Sequence, residues 1–252
     1  MTAIVFAGPS LPPAARPADP ALLWRPPARQ GDLYRAATER PAIIGLVDGY
    51  FEDQPTVWHK EILWAMAQGI HVYGSASIGA LRAAELHPFG MLGIGRVFEA
   101  FRDGLLEDDD EVAVLHGPAE LGYPAVSEAM VNIRATVAAA AAAGAIDAAT
   151  AEALTAAAKS LFYKDRSYEA VAEAAPARGV AASSVAAFTA FLAHGRIDQK
   201  RLDAAAMVAA IRDRLAAGLA PLEVSYILAE TAAWRAARQR ADAVLSGRPP
   251  AP

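Results

Sequence analysis

Residues 70–82 have the sequence IHVYGSASIGALR, in which an apolar run passes through small residues into a helical pattern. This order predicts a buried strand, a tight turn and a helix. Ser77 would project at the top of the sheet, where the backbone N–H groups of Ile78 and Gly79 can hold an oxyanion. Ser75 stands where a G-x-S-x-G elbow has its first glycine, and spacing alone slightly favours a plain N-cap role for Ser77.

The first half of the chain alternates short β-branched runs with helical patterns. Strands that alternate with helices predict a parallel sheet covered on both faces, so we expect an α/β domain with a Rossmann-like sheet over residues 1–122. The proline-rich stretch 11–29 is expected to form an extended surface loop. The predicted strands are 3–7, 42–47, 70–73 and 112–115, and the predicted helices lie near 34–39, 56–68, 78–86 and 94–104.

The second half is alanine-rich, has helical spacing and contains no convincing strand. We therefore expect an all-helical domain over residues 123–246, followed by a disordered tail at 247–252. Glycines and prolines separate the predicted helices, which are 125–143, 148–160, 166–174, 183–193, 199–217 and 221–245.

The composition narrows the classes of function. The 252 residues carry a formal net charge of −5, so nucleic acid is not expected as the principal ligand. There is no cysteine, which excludes disulfides, thiolate metal sites and a persulfide carried by this chain. The longest apolar run, 137–146, is too short to span a bilayer, and Met1 opens into a strand-like run. A cytoplasmic protein without membrane contact is expected.

Motifs for cofactors are not found. The segment Gly8-Pro9-Ser10 does not match G-x-G-x-x-G, and no Walker lysine follows it, so nucleotide binding is not supported. The acidic run 107–111 has no histidine at ligand spacing and is expected to be a solvated loop rather than a metal site. We therefore expect neither a cofactor nor a metal.

Candidate catalytic groups lie around the second predicted strand. Asp48 ends this strand, and His59 and Lys60 lie in the first turn of the next helix. The carboxyl ends of parallel strands share one edge of the sheet, so either His59 or Lys60 can act as the base for Ser77, with Asp48 as its orienting partner. A plainer interpretation makes Asp48 a turn residue and His59 a surface residue of the helix.

Five residues are candidates for binding the substrate. Arg82 can face the pocket and bind a carboxylate, or it can pair with Glu85 three residues later. Ser10 follows the first predicted strand, and His116 ends the last one, which places both at the same edge. Arg134 lies on the first helix of the second half and can reach back to the pocket.

Together these segments resemble the TfuA-like core domain, with the motifs in the same order along about the first half of the chain. The main motifs are VFAGPS at 5–10, PPA and GD within 26–32, VDGYF at 47–51, VWHKEI at 57–62 and VYGSASIGALRAAEL at 72–86. Weaker ones are FGM at 89–91, the stretch 110–116, VNIR at 131–134 and the segment around Arg166. Ser75 replaces an expected alanine, which favours Ser77 as the functional serine.

The resemblance implies a partner of YcaO enzymes in the biosynthesis of ribosomal peptides that carry thioamides. A YcaO-type cyclodehydratase uses ATP to activate a backbone amide of the precursor peptide, and sulfide then replaces the oxygen. A TfuA-like protein would supply this sulfide by hydrolysing the C-terminal thiocarboxylate of a ThiS-like sulfur-carrier protein. The lack of cysteine agrees, because the sulfur must then arrive activated on another molecule.

Two other functions fit the residues. A non-catalytic adaptor would recruit the sulfur donor or the peptide to the YcaO enzyme, and the alanine-rich helices would suit such an interaction surface. A generic serine esterase would turn over small activated esters, but the incomplete G-x-S-x-G motif counts against it.

Overall fold

The computed structural model of the protein describes residues 1–50 and 54–246. Within these residues, five strands form one parallel sheet in the order β2-β1-β3-β4-β5. The strands are β1 (Ala3–Phe6), β2 (Leu22–Arg25), β3 (Ile43–Leu46), β4 (His71–Ser75) and β5 (Leu92–Ile94). The predicted fold class, a parallel α/β sheet with a helical C-terminal region, is confirmed.

The central strands are short and apolar at successive positions. All four residues of β1 and of β3 are buried, as expected for parallel strands that are covered on both faces. Each of the strands β2 to β5 is followed along the chain by a helix. These helices are α1 (Asp32–Thr38), α2 (His59–Ala67), α3 (Ile78–Leu86) and α4 (Arg96–Arg102). The helices that follow are α5 (Met130–Ala142), α6 (Ala148–Ser160), α7 (Tyr168–Ala174), α8 (Ala182–Gly195), α9 (Gln199–Ala217) and α10 (Ala232–Leu245).

The predicted strand at 112–115 is wrong. Asp109–Glu111 forms a 3₁₀ turn, and Val112 follows it in a helical backbone conformation. Two strands were not predicted. The sheet contains β2 inside the proline-rich stretch 11–29, and β5 is only three residues long with Gly93 at its centre. Both lie at the edges of the sheet, where short strands give little sequence signal.

Three helices, α3, α6 and α9, have the predicted bounds, whereas the last predicted helix is shorter than expected. Residues 221–231 have no helical structure. In this stretch the Leu222 N–H donates to Gly69 O at 2.8 Å, and the Tyr226 hydroxyl donates to Leu63 O at 2.6 Å. Hydrogen bonds to α2 and to the turn after it thus take the place of some that residues 221–231 would make within a helix.

The chain divides into two compact units. Unit 1 contains residues 1–105 together with the chain from Asp203 onward, and unit 2 contains residues 106–202. The division therefore falls at Leu105 and inside α9, rather than between the predicted domains 1–122 and 123–246. The predicted tail at 247–252 lies outside the described residues.

Unit 1 is completed by the last two helices. From α9, the side chains of Ala204, Met207, Val208 and Ile211 join the same buried cluster as the β1 residues Ala3, Val5 and Ala7. From α10, Trp234 is 1% exposed and packs with Tyr34, Trp58 and Trp64. The sequence pattern marks the apolar faces of these helices, but not the surface that each face covers.

Unit 2 has a core of its own, built by α5, α6, α7 and α8. Met130, Ile133 and Val137 of α5 pack with Leu154 of α6 and Phe188 of α8. None of the helices within residues 1–50 and 54–246 combines the length and hydrophobicity that a membrane span requires.

Two glycines let the turn after β4 pack tightly on the sheet. A Cβ atom at Gly79 would lie 1.8 Å from Leu46 O, and one at Gly74 would lie 2.1 Å from Gly79 O. Both obstacles are backbone atoms, which cannot move aside as a flexible side chain can. The start of α3 is therefore fixed against the end of β3 by a backbone contact that only glycine permits.

Gly79→Ala is expected to lower the free energy of unfolding by about 3 kcal/mol or more, because the added methyl group must push α3 away from β3. The control is Ala84→Gly in the same helix, which should cost about 1 kcal/mol through helix propensity alone. Urea unfolding followed by tryptophan fluorescence measures both. Equal losses in the two variants would contradict the tight contact.

Candidate functional site

The turn between β4 and α3 has a strained backbone. The Ser77 N–H donates to Ser75 O at 2.7 Å, and the residue between them, Ala76, has φ of 66°. A non-glycine residue in this region costs on the order of 1–3 kcal/mol, and such costs are concentrated at functional sites. The strained residue is thus Ala76 rather than the serine, one position before the residue that sequence analysis singled out.

The two serines of the turn have different surroundings. Ser75 is buried, and its hydroxyl donates to Ile94 O at 2.7 Å, so it joins β4 to β5. Ser77 is partly exposed at the N-cap position of α3, but its side chain makes no capping hydrogen bond. Its Oγ atom has no partner among the described residues. The N-cap alternative for Ser77 is therefore not realised.

Of the two proposed oxyanion donors, one is already engaged in a hydrogen bond within the protein. The Gly79 N–H donates to Val47 O at 3.2 Å, so the expectation that it holds an oxyanion is wrong. The Ile78 N–H, by contrast, has no acceptor in the described part of the chain. One backbone donor next to Ser77 remains for a substrate oxygen.

Asp48 is buried at the end of β3, with 1% of its surface exposed. Its Oδ2 atom accepts hydrogen bonds from Gly8 N at 2.8 Å and Ser10 N at 3.0 Å, and its Oδ1 atom accepts one from Ser10 Oγ at 2.6 Å. The predicted role of Asp48, orienting His59 or Lys60, does not match these contacts. Asp48 instead fixes the loop after β1.

His59 has a different carboxylate partner. Its Nε2 atom lies 2.8 Å from Glu85 Oε2, which also accepts a hydrogen bond from Arg82 Nη1 at 2.7 Å. Burial raises the pKa of the Glu85 carboxyl, but the hydrogen bonds and charges of His59 and Arg82 outweigh it and lower the pKa below its ordinary value. His59, Glu85 and Arg82 thus form one charged group on α2 and α3.

Arg82 and Lys60 are engaged by backbone carbonyls as well. Arg82 Nε donates to Val57 O at 3.0 Å, and together with its Glu85 contact this matches the plainer of its two predicted roles. Lys60 Nζ donates to Ala229 O at 2.6 Å, in the non-helical stretch 221–231 that precedes α10. Of the two candidate bases, only His59 has a carboxylate partner among the described contacts.

The loops after β1, β3 and β4 meet at the carboxyl edge of the sheet. The strand order reverses between β1 and β3, and ligands of open α/β sheets bind in the crevice at such a reversal. Ser10 and Asp48 are in direct contact there. A Cβ atom at Gly49 would lie 2.8 Å from Ile78 Cγ2, so the residue after Asp48 packs against the residue after Ser77.

His116 and Arg134 belong to unit 2. His116 Nδ1 lies 2.9 Å from Gly117 O, and its ring packs edge-on against Tyr123 at 5.7 Å between centroids. Arg134 makes two hydrogen bonds to the Glu111 carboxylate, from Nε at 2.9 Å and from Nη2 at 2.8 Å. The guanidinium of Arg134 is therefore occupied by a protein carboxylate rather than open to a substrate.

The acidic run 107–111 is only in part the solvated loop that the sequence predicts, since Glu107, Asp108 and Asp109 are exposed but Glu111 is buried. Lys159 pairs with Asp110, and it also lies 3.0 Å from oxygens of both Asp108 and Glu111. Arg166, fully buried, donates to the Asp110 backbone and carboxylate as well as to Ala158 O. The resemblance had marked the segment around Arg166, but no spacing rule joins it to residues 56 positions earlier.

No three histidine, aspartate or glutamate side chains are grouped in a way that could hold a metal ion within residues 1–50 and 54–246.

The ion-pair network of unit 2 makes its stability depend on pH. Burial raises the pKa of Asp110, but hydrogen bonds from Lys159 and Arg166 outweigh it and lower the pKa. Burial lowers the pKa of Lys159, but hydrogen bonds to Asp110, Glu111 and Asp108 outweigh it and raise the pKa. The Asp110 contribution is therefore lost as pH falls below about 4, and the Lys159 contribution is lost as pH rises above about 10.4.

Lys159→Met is expected to reduce hydrogen-exchange protection of the α5 and α6 amides at pH 7 and to weaken the further loss on acidification. The reason is that the variant already lacks the cation that lowers the pKa of Asp110. Arg178→Met removes an exposed cation outside the network and serves as the control. Equal acid sensitivity in Lys159→Met and the unmodified protein would contradict this role.

Comparisons with known proteins agree with the resemblance seen in the motifs. A search of curated proteins finds no significant match. A family model described as TfuA-like protein matches residues 48–167, from the end of β3 through the network around Arg166. This match confirms the predicted resemblance to the TfuA-like family.

Proposed function

We propose that this protein is a cytoplasmic hydrolase that releases sulfide from the C-terminal thiocarboxylate of a ThiS-like sulfur-carrier protein. The sulfide would serve a YcaO-type enzyme in forming thioamides in a precursor peptide. The observation that carries the proposal is Ser77, whose partly exposed hydroxyl has no hydrogen-bond partner within residues 1–50 and 54–246 and lies beside the Ile78 N–H, which has no acceptor in the same residues. The choice of a protein thiocarboxylate as the substrate class is part of the proposal, and the similarity to the TfuA-like family supports it.

In the proposed first step, Ser77 Oγ attacks the thiocarboxylate carbon and its proton passes to a base. The carbon–sulfur bond breaks as the base passes this proton on to the sulfur, giving an ester of Ser77 and hydrosulfide, while the Ile78 N–H stabilises the negative oxygen of the tetrahedral intermediate. Water then hydrolyses the ester, which yields the carrier carboxylate and restores the serine. Because the sulfur of an ionised thiocarboxylate carries no proton, the same base must act as the general acid that delivers the serine proton to it.

His59 is the better-supported base, because Glu85 can hold its ring and stabilise its protonated form. Glu85 lies eight residues after Ser77 in sequence, or roughly 12 Å along the helix. His59 would therefore act on Ser77 through a water molecule, or after its ring turns away from Glu85. The same position of His59 suits an alternative mechanism without an acyl-enzyme, in which His59 activates the attacking water directly.

Ser77→Ala is expected to lower sulfide release from a thiocarboxylated carrier by about a thousandfold or more, since it removes the nucleophile. Ser75→Ala is the matched control and should keep most activity, because the Ser75 hydroxyl is bonded within the sheet. The assay contains purified protein and carrier but no YcaO enzyme. Undiminished release by Ser77→Ala would remove the serine from the mechanism, and no release by the unmodified protein would favour the adaptor.

His59→Gln is expected to lower kcat by roughly 10²- to 10⁴-fold, the usual contribution of a general base, whereas Lys60→Met should lower it far less. Single-turnover measurement of sulfide at several pH values compares the variants. The opposite ranking would assign the base to Lys60. Mass spectrometry after rapid acid quench should detect the carrier joined to Ser77, and its absence at every time point would favour direct attack by water.

A further inference from the structure

The loop after β1 surrounds the Asp48 carboxylate with hydrogen-bond donors. Two backbone N–H groups, from Gly8 and Ser10, and the Ser10 hydroxyl all reach it at 2.6–3.0 Å. Both carboxylate oxygens are satisfied, and the exposed fraction of Asp48 is 1%. A side-chain anion therefore fills this cradle of donors, which we call the β1 cradle (Gly8 N, Ser10 N and Ser10 Oγ).

The β1 cradle lies where open α/β sheets often bind a phosphate. The strand order reverses between β1 and β3, and a small-residue loop after the first strand offers backbone N–H groups to an anion at this place. In this chain, the anion comes from the neighbouring strand β3. A second anion at the same donors would lie beside the negative charge of Asp48, and this repulsion opposes its binding.

We propose that Asp48 is a specificity-determining residue, which occupies the β1 cradle and excludes phosphate groups from the crevice at the β1–β3 reversal. The crevice then accepts an unphosphorylated chain end and directs its acyl group to the next loop, where Ser77 lies. Without the Asp48 carboxylate, the three donors of the cradle would also bind the carboxylate of the product and hold it beside the reaction site. The delivery of an acyl group to Ser77 rests on the proposed hydrolysis, whereas the exclusion of phosphate concerns only which anions can bind and is tested by itself.

The test is anion binding by Asp48→Ala, which removes the internal carboxylate but leaves the three donors. The variant should have a lower Tm than the unmodified protein, and formate or inorganic phosphate should raise it in a saturable manner at millimolar concentration. Chloride at equal ionic strength should not. Isothermal titration with phosphate should show binding at least about tenfold tighter than to the unmodified protein, corresponding to 1.4 kcal/mol or more.

Two further variants separate charge from space. Asp48→Asn keeps the cradle filled by an amide and should show neither a gain in Tm nor phosphate binding. Asp213→Ala removes an exposed carboxylate from α9, changes the net charge equally and should respond to anions as the unmodified protein does. If Asp48→Ala does not fold without anions, its refolding yield in formate against chloride provides the same comparison.

Two results would overturn the proposal. One is saturable binding of phosphate or ADP at the millimolar level by the unmodified protein. The other is an Asp48→Ala variant whose stability and refolding are insensitive to formate and phosphate. Neither result depends on sulfide release, so failure of the proposed hydrolysis and failure of this inference are distinguishable.

Discussion

The close approach of α3 to β3 organises this protein. Gly79 lies so near Leu46 O that its N–H donates to the next residue, Val47, and the helix begins directly over the end of the neighbouring strand. This contact turns the chain sharply at Ala76 and sets Ser77 at the carboxyl edge of the sheet. It also consumes one of the N–H groups that would otherwise serve a substrate. The tight packing of α3 and the arrangement of hydrogen-bond donors around Ser77 are therefore not independent.

Two carboxylates, Asp48 after β3 and Glu85 near the end of α3, have separate tasks. Asp48 is buried and holds the loop after β1, whereas Glu85 is nearly half exposed and binds His59 and Arg82. A buried carboxylate with three donors is firmly placed and unavailable for proton transfer to a distant group. The more exposed pair can change partners at lower cost, as a general base must when it moves a proton.

The sequence was most informative where one short segment decides the structure. The turn 74–79 could be predicted because its glycines, its serines and the following helical pattern act within a few residues. The partner of Asp48 could not be predicted, because a carboxylate at a strand end can bind either a histidine or loop N–H groups. Which of them it binds depends on the pairing of β1 with β3, which brings the loop after β1 next to Asp48. Likewise the pairing of residues 107–111 with Arg166 joins segments that no local pattern connects.

Unit 1 is discontinuous in sequence, since its sheet is covered by helices that come last in the chain. During synthesis the apolar face of β1 emerges early and stays open until α9 leaves the ribosome, which happens only after the whole of unit 2 has been made. Domains tend to fold as they emerge, so here the middle of the chain should fold before its beginning. While the middle of the chain is being made, the newborn protein thus exposes an apolar sheet surface that α9 covers in the finished fold.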